Sequence, residues 1–185
     1  MTRTDKAQRV ALLVIDVQQG LCAGPYAAFD AQGVIARINQ AIAKARAVGA
    51  MVVFVQHDEP EGLVYGSPWW QLAEGLQALP GDHYVRKQGS SAFYQTKLDE
   101  LLKAHGVQRL IVCGLQSEFC VDSTVRNALE RGYPVTLVED AHTTMDNGVL
   151  KAAQISAHTT ATLRHIGGYA GQVHPVAASD LELRA

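Results

Sequence analysis

The chain has 185 residues, 48% of them hydrophobic, which is enough to bury one sizeable core without a second domain, so residues 1–185 read as a single unit. Lys and Arg number 16 against 18 Asp and Glu, a formal charge of -2, which excludes the basic footprint of a nucleic-acid or anionic-membrane partner and favours a small molecule. The three cysteines form no disulfide framework and no CxxC motif, and the polar amino end followed by an apolar run broken at Asp16 makes neither a leader nor a span, so a cytoplasmic protein is expected.

In chain order, "VALLVID" (Val10 to Asp16), "MVVFVQH" (Met51 to His57), "RLIVCGL" (Arg109 to Leu115) and "PVTLVED" (Pro134 to Asp140) are apolar, β-branched runs without alternation. Strands covered on both faces look like this, and such strands are parallel. Between the first two, Val34, Ile35, Ile38, Ile42, Ala45 and Val48 share one helical face that ends at Gly49. Leu98, Leu101 and Leu102 give a second helix ending near Gly106, and Val121, Val125, Ala128 and Leu129 a third that stops at Gly132. A last helix is expected from Asn147, as N-cap, to Ile166, and "QVHPVAA" adds a short final strand. The pattern predicts a three-layer, doubly wound α/β sheet of five or six mostly parallel strands with right-handed crossovers. Residues 58–83 interrupt the rhythm with a Pro- and Gly-rich stretch longer than a normal connection, as functional loops do.

In such a sheet ligands bind at the carboxyl ends of the strands, and that rule sorts the thiols. Cys113 lies inside a strand and Cys22 in a loop with nothing beside it to activate it, so both read as inert. Cys120 is delivered by the polar turn "QSEF" to the start of a helix, where unpaired N–H groups and the helix dipole favour negative charge on sulfur. It is either a nucleophile or a small residue at a helix start. Asp16, directly after the first strand, is the candidate base on the same rim, with a strand-end carboxylate bonding loop amides as the bland reading. Lys87, in "HYVRKQGSSAF", is a cation that can hold Asp16 ionised and favour thiolate; Arg86 competes for that position.

These residues and their surroundings resemble the isochorismatase-like cysteine hydrolases, the superfamily of nicotinamidases and N-carbamoylsarcosine amidohydrolases. "LLVIDVQQGL" is similar to its Asp strand, "VRKQGSSAF" to its Lys segment and "VCGLQSEFCVDSTVRNALERGYPVTLVEDA" to its nucleophile block, and the likeness covers nearly the whole chain. The resemblance implies an Asp16, Lys87, Cys120 triad of base, electrostatic partner and nucleophile. It also implies a cis peptide between Leu115 and Gln116, an oxyanion hole from the Gln116 and Cys120 backbone N–H groups, and a homo-oligomer, dimer or tetramer. The implied activity is cleavage of a C–N bond in a small amide, ureido or imide substrate through a Cys thioester.

Two departures shape the expectation. The metal-binding Asp-x-His pair of nicotinamidases is replaced by adjacent His57 and Asp58, with no second histidine before His83, so no metal and no cofactor are expected. Cys120 argues against the vinyl-ether-cleaving branch, and Leu21 stands where the family commonly has Phe. Leu21, His57, Tyr65, Trp69, Trp70, Phe93 and Phe119 are the candidate pocket residues, and the remaining histidines are given only surface or helix-end roles. No GxGxxG, P-loop or GxSxG motif occurs. The alternatives from other classes are an idle small-molecule-binding protein and a thiol-redox protein using Cys120.

Overall fold

The computed structural model describes residues 9–183. Strands β1 (Val10–Ile15), β2 (Met51–His57), β3 (His83–Lys87), β4 (Arg109–Leu115), β5 (Val135–Thr143) and β6 (Val173–Val176) form one sheet in the order β3-β2-β1-β4-β5-β6. Every pairing is parallel. Helices α1 (Gln19–Cys22), α2 (Ala31–Ala47), α3 (Leu98–Ala104), α4 (Asp122–Glu130) and α5 (Ala152–Arg164) make the crossovers and cover the sheet. None of the described helices is long and apolar enough to cross a membrane.

The unbroken apolar runs follow from burial on both faces. Because side chains alternate across a strand, Leu12, Val14, Phe54, Ile111 and Cys113 pack with α2 in one core, while Ala11, Leu13, Ile15, Val53, Val55 and Val112 pack with α3, α4 and α5 in the other. Ile38 and Ile42 of α2 are fully buried, and each contributes about 1.5–3 kcal/mol through the apolar surface removed from water.

Four local features depart from the sequence reading. The stretch around His83 forms an edge strand, β3, in which Val85 and Lys87 point inward while Tyr84 and Arg86 are exposed. The turn after β4 is itself helical: residues Ser117–Val121 make a single π turn, and α4 begins only at Asp122. Strand β5 continues past Asp140 to Thr143 through an irregularity, β4 advancing from Val112 to Gly114 while β5 advances from Leu137 to His142. Finally, α5 starts at Ala152. The Asn147 side chain accepts the N–H groups of its own turn, Val149 and Leu150, and the Asp146 carboxylate accepts that of Ala152.

Gly114 at the β5 irregularity is required by geometry. Its φ is +118°, and a Cβ there would lie 2.1 Å from the carbonyl oxygen of Ile15. The end of β4 can therefore close against the end of β1 only without a side chain. Strand order reverses between β1 and β4, so the crevice beyond their carboxyl ends is where a ligand is expected in this topology.

Candidate active site

Three chain segments meet at that crevice. Asp16 follows β1 directly; its N–H continues the ladder to the Val55 carbonyl (2.8 Å), its φ is 50°, and its side chain is buried. The left-handed backbone turns the chain out of the sheet, a conformation Asp tolerates better than most residues. Lys87 closes β3 opposite His57 of β2 and is likewise buried. Cys120 sits on the π turn after β4.

The Lys87 ammonium joins them. Its Nζ lies 2.7 Å from Asp16 Oδ2 and 3.2 Å from Cys120 Sγ, with the Gly89 carbonyl at 3.1 Å and His57 Nδ1 at 3.3 Å. Strand alternation decides between the two adjacent cations. Arg86 points to the other side, near Asp58 (3.5 Å) and over the Tyr65 ring (4.3 Å).

Burial governs the protonation of the cluster. It raises the Asp16 carboxyl above its ordinary 3.8, against the opposing pull of Lys87. Burial also pushes the Cys120 thiol up to about 12, the Asp16 charge adding to it and the Lys87 charge working against it. For Lys87, burial disfavours the charge, but Asp16 and Cys120 outweigh it and the ammonium is held above its ordinary range. In the sequence, the helix start and the cation favour thiolate. In the folded chain Cys120 rests as a thiol, because desolvation outweighs the single cation and the surrounding turn is not the first turn of an α-helix.

The Leu115–Gln116 peptide bond is cis. The Gln116 carbonyl accepts the N–H groups of Phe119 (3.2 Å) and Val121 (3.1 Å), which closes the π turn around Cys120. Cys22 and Cys113 are both buried, with thiols pushed up by desolvation, Cys22 to about 12.

A cavity of about 430 Å³ opens between the segments after β1, β2 and β5, with Leu21, Leu63, Trp69, Met145 and Glu59 among its walls. Of the pocket candidates, Leu21 and Trp69 line it. His57 stands between it and the Asp16–Lys87–Cys120 cluster, its Nδ1 facing Lys87 and its Nε2 3.9 Å from Glu59 Oε2. Tyr65 and Trp70 pack edge to face on each other (4.8 Å) and are not in the cavity wall, and exposed Phe119 rides on the π turn. Phe93 belongs to the core instead, stacked on Tyr133 at 6.3 Å.

Two residues of the site were missed. Gln18 is fully buried; its carboxamide donates to the carbonyls of His57 and Trp70 (2.9 Å each) and accepts the His57 N–H (2.8 Å), tying the 58–83 segment to β2. A glutamine two residues after Asp16, directly beyond an unbroken apolar strand, is the available signal. His142, read as a surface residue, is buried with both ring nitrogens engaged: Nδ1 at 2.8 Å from Ser117 Oγ and Nε2 at 2.9 Å from Thr160 Oγ1. Burial draws its pKa down to about 4, with Asp140 opposing, so it is a neutral strut between the π turn and α5. Among the described residues, no group of three or more His, Cys, Asp or Glu side chains is gathered as a metal site.

Comparison with known proteins gives the family of the fold that carries this geometry. A model of the Isochorismatase domain matches residues 10–166. A streptothricin hydrolase of Streptomyces noursei is 44% identical over 138 residues, 74% of this chain and 50% of that protein. The ureidoacrylate amidohydrolase RutB of Variovorax paradoxus (strain S110) is 31% identical over 183 residues, 78% of this chain and 73% of that protein. The chain thus spans about half the length of the streptothricin hydrolases it matches. Among solved structures, an isochorismatase family protein superimposes with a TM-score of 0.83 at 39% identity, covering 91% of this chain and 98% of that one. N-carbamoylsarcosine amidase from Thermoplasma acidophilum superimposes with a TM-score of 0.78 at 26% identity, covering 94% and 99%. With the domain model spanning most of its length and relatives above 30% identity, the chain belongs to the isochorismatase domain family.

Proposed function

We propose that this chain is a cysteine hydrolase that cleaves a C–N bond of a small amide, ureido or imide substrate. The observation that carries the reading is one buried ammonium, Lys87, in contact with both the Asp16 carboxylate (2.7 Å) and the Cys120 sulfur (3.2 Å). The names of relatives, amide- and ureide-cleaving among them, support the same class.

Asp16, made more basic by burial, takes the Cys120 proton as the sulfur attacks the substrate carbonyl carbon. The Gln116 and Cys120 N–H groups donate to the oxyanion of the tetrahedral intermediate, each worth about 3–4 kcal/mol to the barrier. Asp16 returns its proton to the nitrogen, the C–N bond breaks, and the amine leaves a thioester on Cys120. Water then gives a proton to Asp16 and attacks the thioester; the sulfur leaves, recovers the proton, and the acid is released. Lys87 keeps Asp16 oriented and offsets the charge that appears on sulfur.

A steady-state screen of small amides, ureides and imides tests the reading. Turnover of at least one class is expected, with loss of about 10³-fold or more in Cys120→Ala while the fold is kept. Turnover retained by that variant would contradict it.

A further inference from the structure

Among the described residues, the wall of the 430 Å³ cavity carries charge of one sign. Leu21, Leu63, Trp69 and Met145 make it apolar and Tyr26 adds a ring and a hydroxyl; among the described residues Glu59 is the one carboxylate in the wall, and no Lys, Arg or His belongs to it. Among the described residues, the only group within ion-pair distance of Glu59 is His57 Nε2, at 3.9 Å. The nearby cation Arg86 is turned away onto Asp58 and Tyr65, and Lys87 is committed to the triad. Gly20 lets the walls approach, since a Cβ there would lie 2.8 Å from the Leu63 side chain. Trp69 and Tyr26, 50% and 79% exposed, leave ring faces open to an occupant.

We propose that this cavity holds the non-reacting part of the substrate, and that this part is an apolar or aromatic group bearing a positive charge placed against Glu59. The assignment rests on the hydrolase reading above for the identity of the reacting end. Its volume falls in the range of small-molecule sites, about 300–1,000 Å³, and exceeds what a bare carboxamide fills. A carboxylate with no Lys or Arg among the described residues within ion-pair distance attracts an ammonium and repels a carboxylate, and the aromatic faces add cation–π attraction. The His57 imidazole spans the gap between the two ends of the site, with Nε2 3.9 Å from Glu59 and Nδ1 3.3 Å from Lys87, so one ring separates the cavity's carboxylate from the Asp16–Lys87–Cys120 cluster.

Calorimetric titration of Cys120→Ala protein with 3-phenylpropylamine, 3-phenylpropanol and 3-phenylpropanoate tests this without requiring turnover. The ammonium is expected to bind about five- to tenfold tighter than the carboxylate, the alcohol lying between, as befits a half-exposed charge. Adding Glu59→Gln should collapse the spread to about twofold, and adding Glu59→Lys should invert it. Equal or tighter binding of the carboxylate, a preference that survives Glu59→Gln, or no binding of any of the three overturns the assignment. A cation preference in a protein that hydrolyses no amide would leave the cavity assigned and remove the cysteine mechanism instead.

Discussion

Lys87 Nζ lies 3.2 Å from Cys120 Sγ, yet the thiol is pushed up to about 12, because desolvation and the Asp16 carboxylate outweigh one ammonium. On the proposed mechanism, the nucleophile is made during attack, as the Cys120 proton moves to Asp16. It is not stored as thiolate.

Alkylation rates follow. With iodoacetamide at neutral pH, Cys120 should react more slowly than a free cysteine but ahead of Cys22 and Cys113, which are more deeply buried. Lys87→Met should slow it further by removing the only favourable charge. Peptide mapping after timed alkylation reads the order directly.

If Asp16 is the base as proposed, acid should stop turnover through it. Its carboxyl must be ionised to accept the thiol proton, and burial sets its folded pKa above 3.8, so kcat/KM should fall as pH drops through a value higher than an ordinary aspartate gives. In Asp16→Asn, kcat should drop by about 10²–10⁴-fold and this limb of the pH profile should vanish.

His142 should make the fold acid-sensitive. An unfolded chain protonates this imidazole below about 6.5 but the folded one only below about 4, so between those values the unfolded state holds more protons. Stability is then complete above pH 6.5 and is lost as pH falls, by about 2 kcal/mol at pH 5. Urea unfolding at pH 7.5 and pH 5 should show this loss in the parent protein, and a smaller one in His142→Gln.

Gly114→Ala should damage both stability and activity. The new methyl would strike the Ile15 backbone, one residue before Asp16, and adopt a φ of +118° that alanine avoids. A cost of at least about 3 kcal/mol is expected from overpacking and backbone strain together, read from denaturant midpoints.

Much of this architecture was legible because two-sided burial writes itself into β1, β2, β4 and β5 as unbroken apolar runs, and α2 into a single face. Strand β3 was hidden by its edge position: Tyr84 and Arg86 face solvent, so the run is short and polar. The choice of Lys87 over Arg86 depends on which of two neighbours points inward, a matter of register against β2. Asn147 carries the look of an N-cap, but its carboxamide is taken up by its own turn. His142 escaped notice because the β5 irregularity, which no local pattern announces, is what aims it at Ser117.

A chelator should leave turnover unchanged. Among the described residues no group of three or more His, Cys, Asp or Glu side chains is gathered, and His57 Nδ1 faces the Lys87 ammonium, which would repel a cation there. Assay after dialysis against EDTA checks this.

The central claim is a covalent bond between Cys120 and the acyl half of the substrate. Rapid acid quench of the first turnover, followed by intact-protein and peptide mass spectrometry, measures it. An acyl mass on the peptide containing Cys120, absent in Cys120→Ala and formed slowly in Asp16→Asn, is the expected result. Hydrolysis that proceeds with no adduct on Cys120, or with the adduct on another residue, would contradict the account.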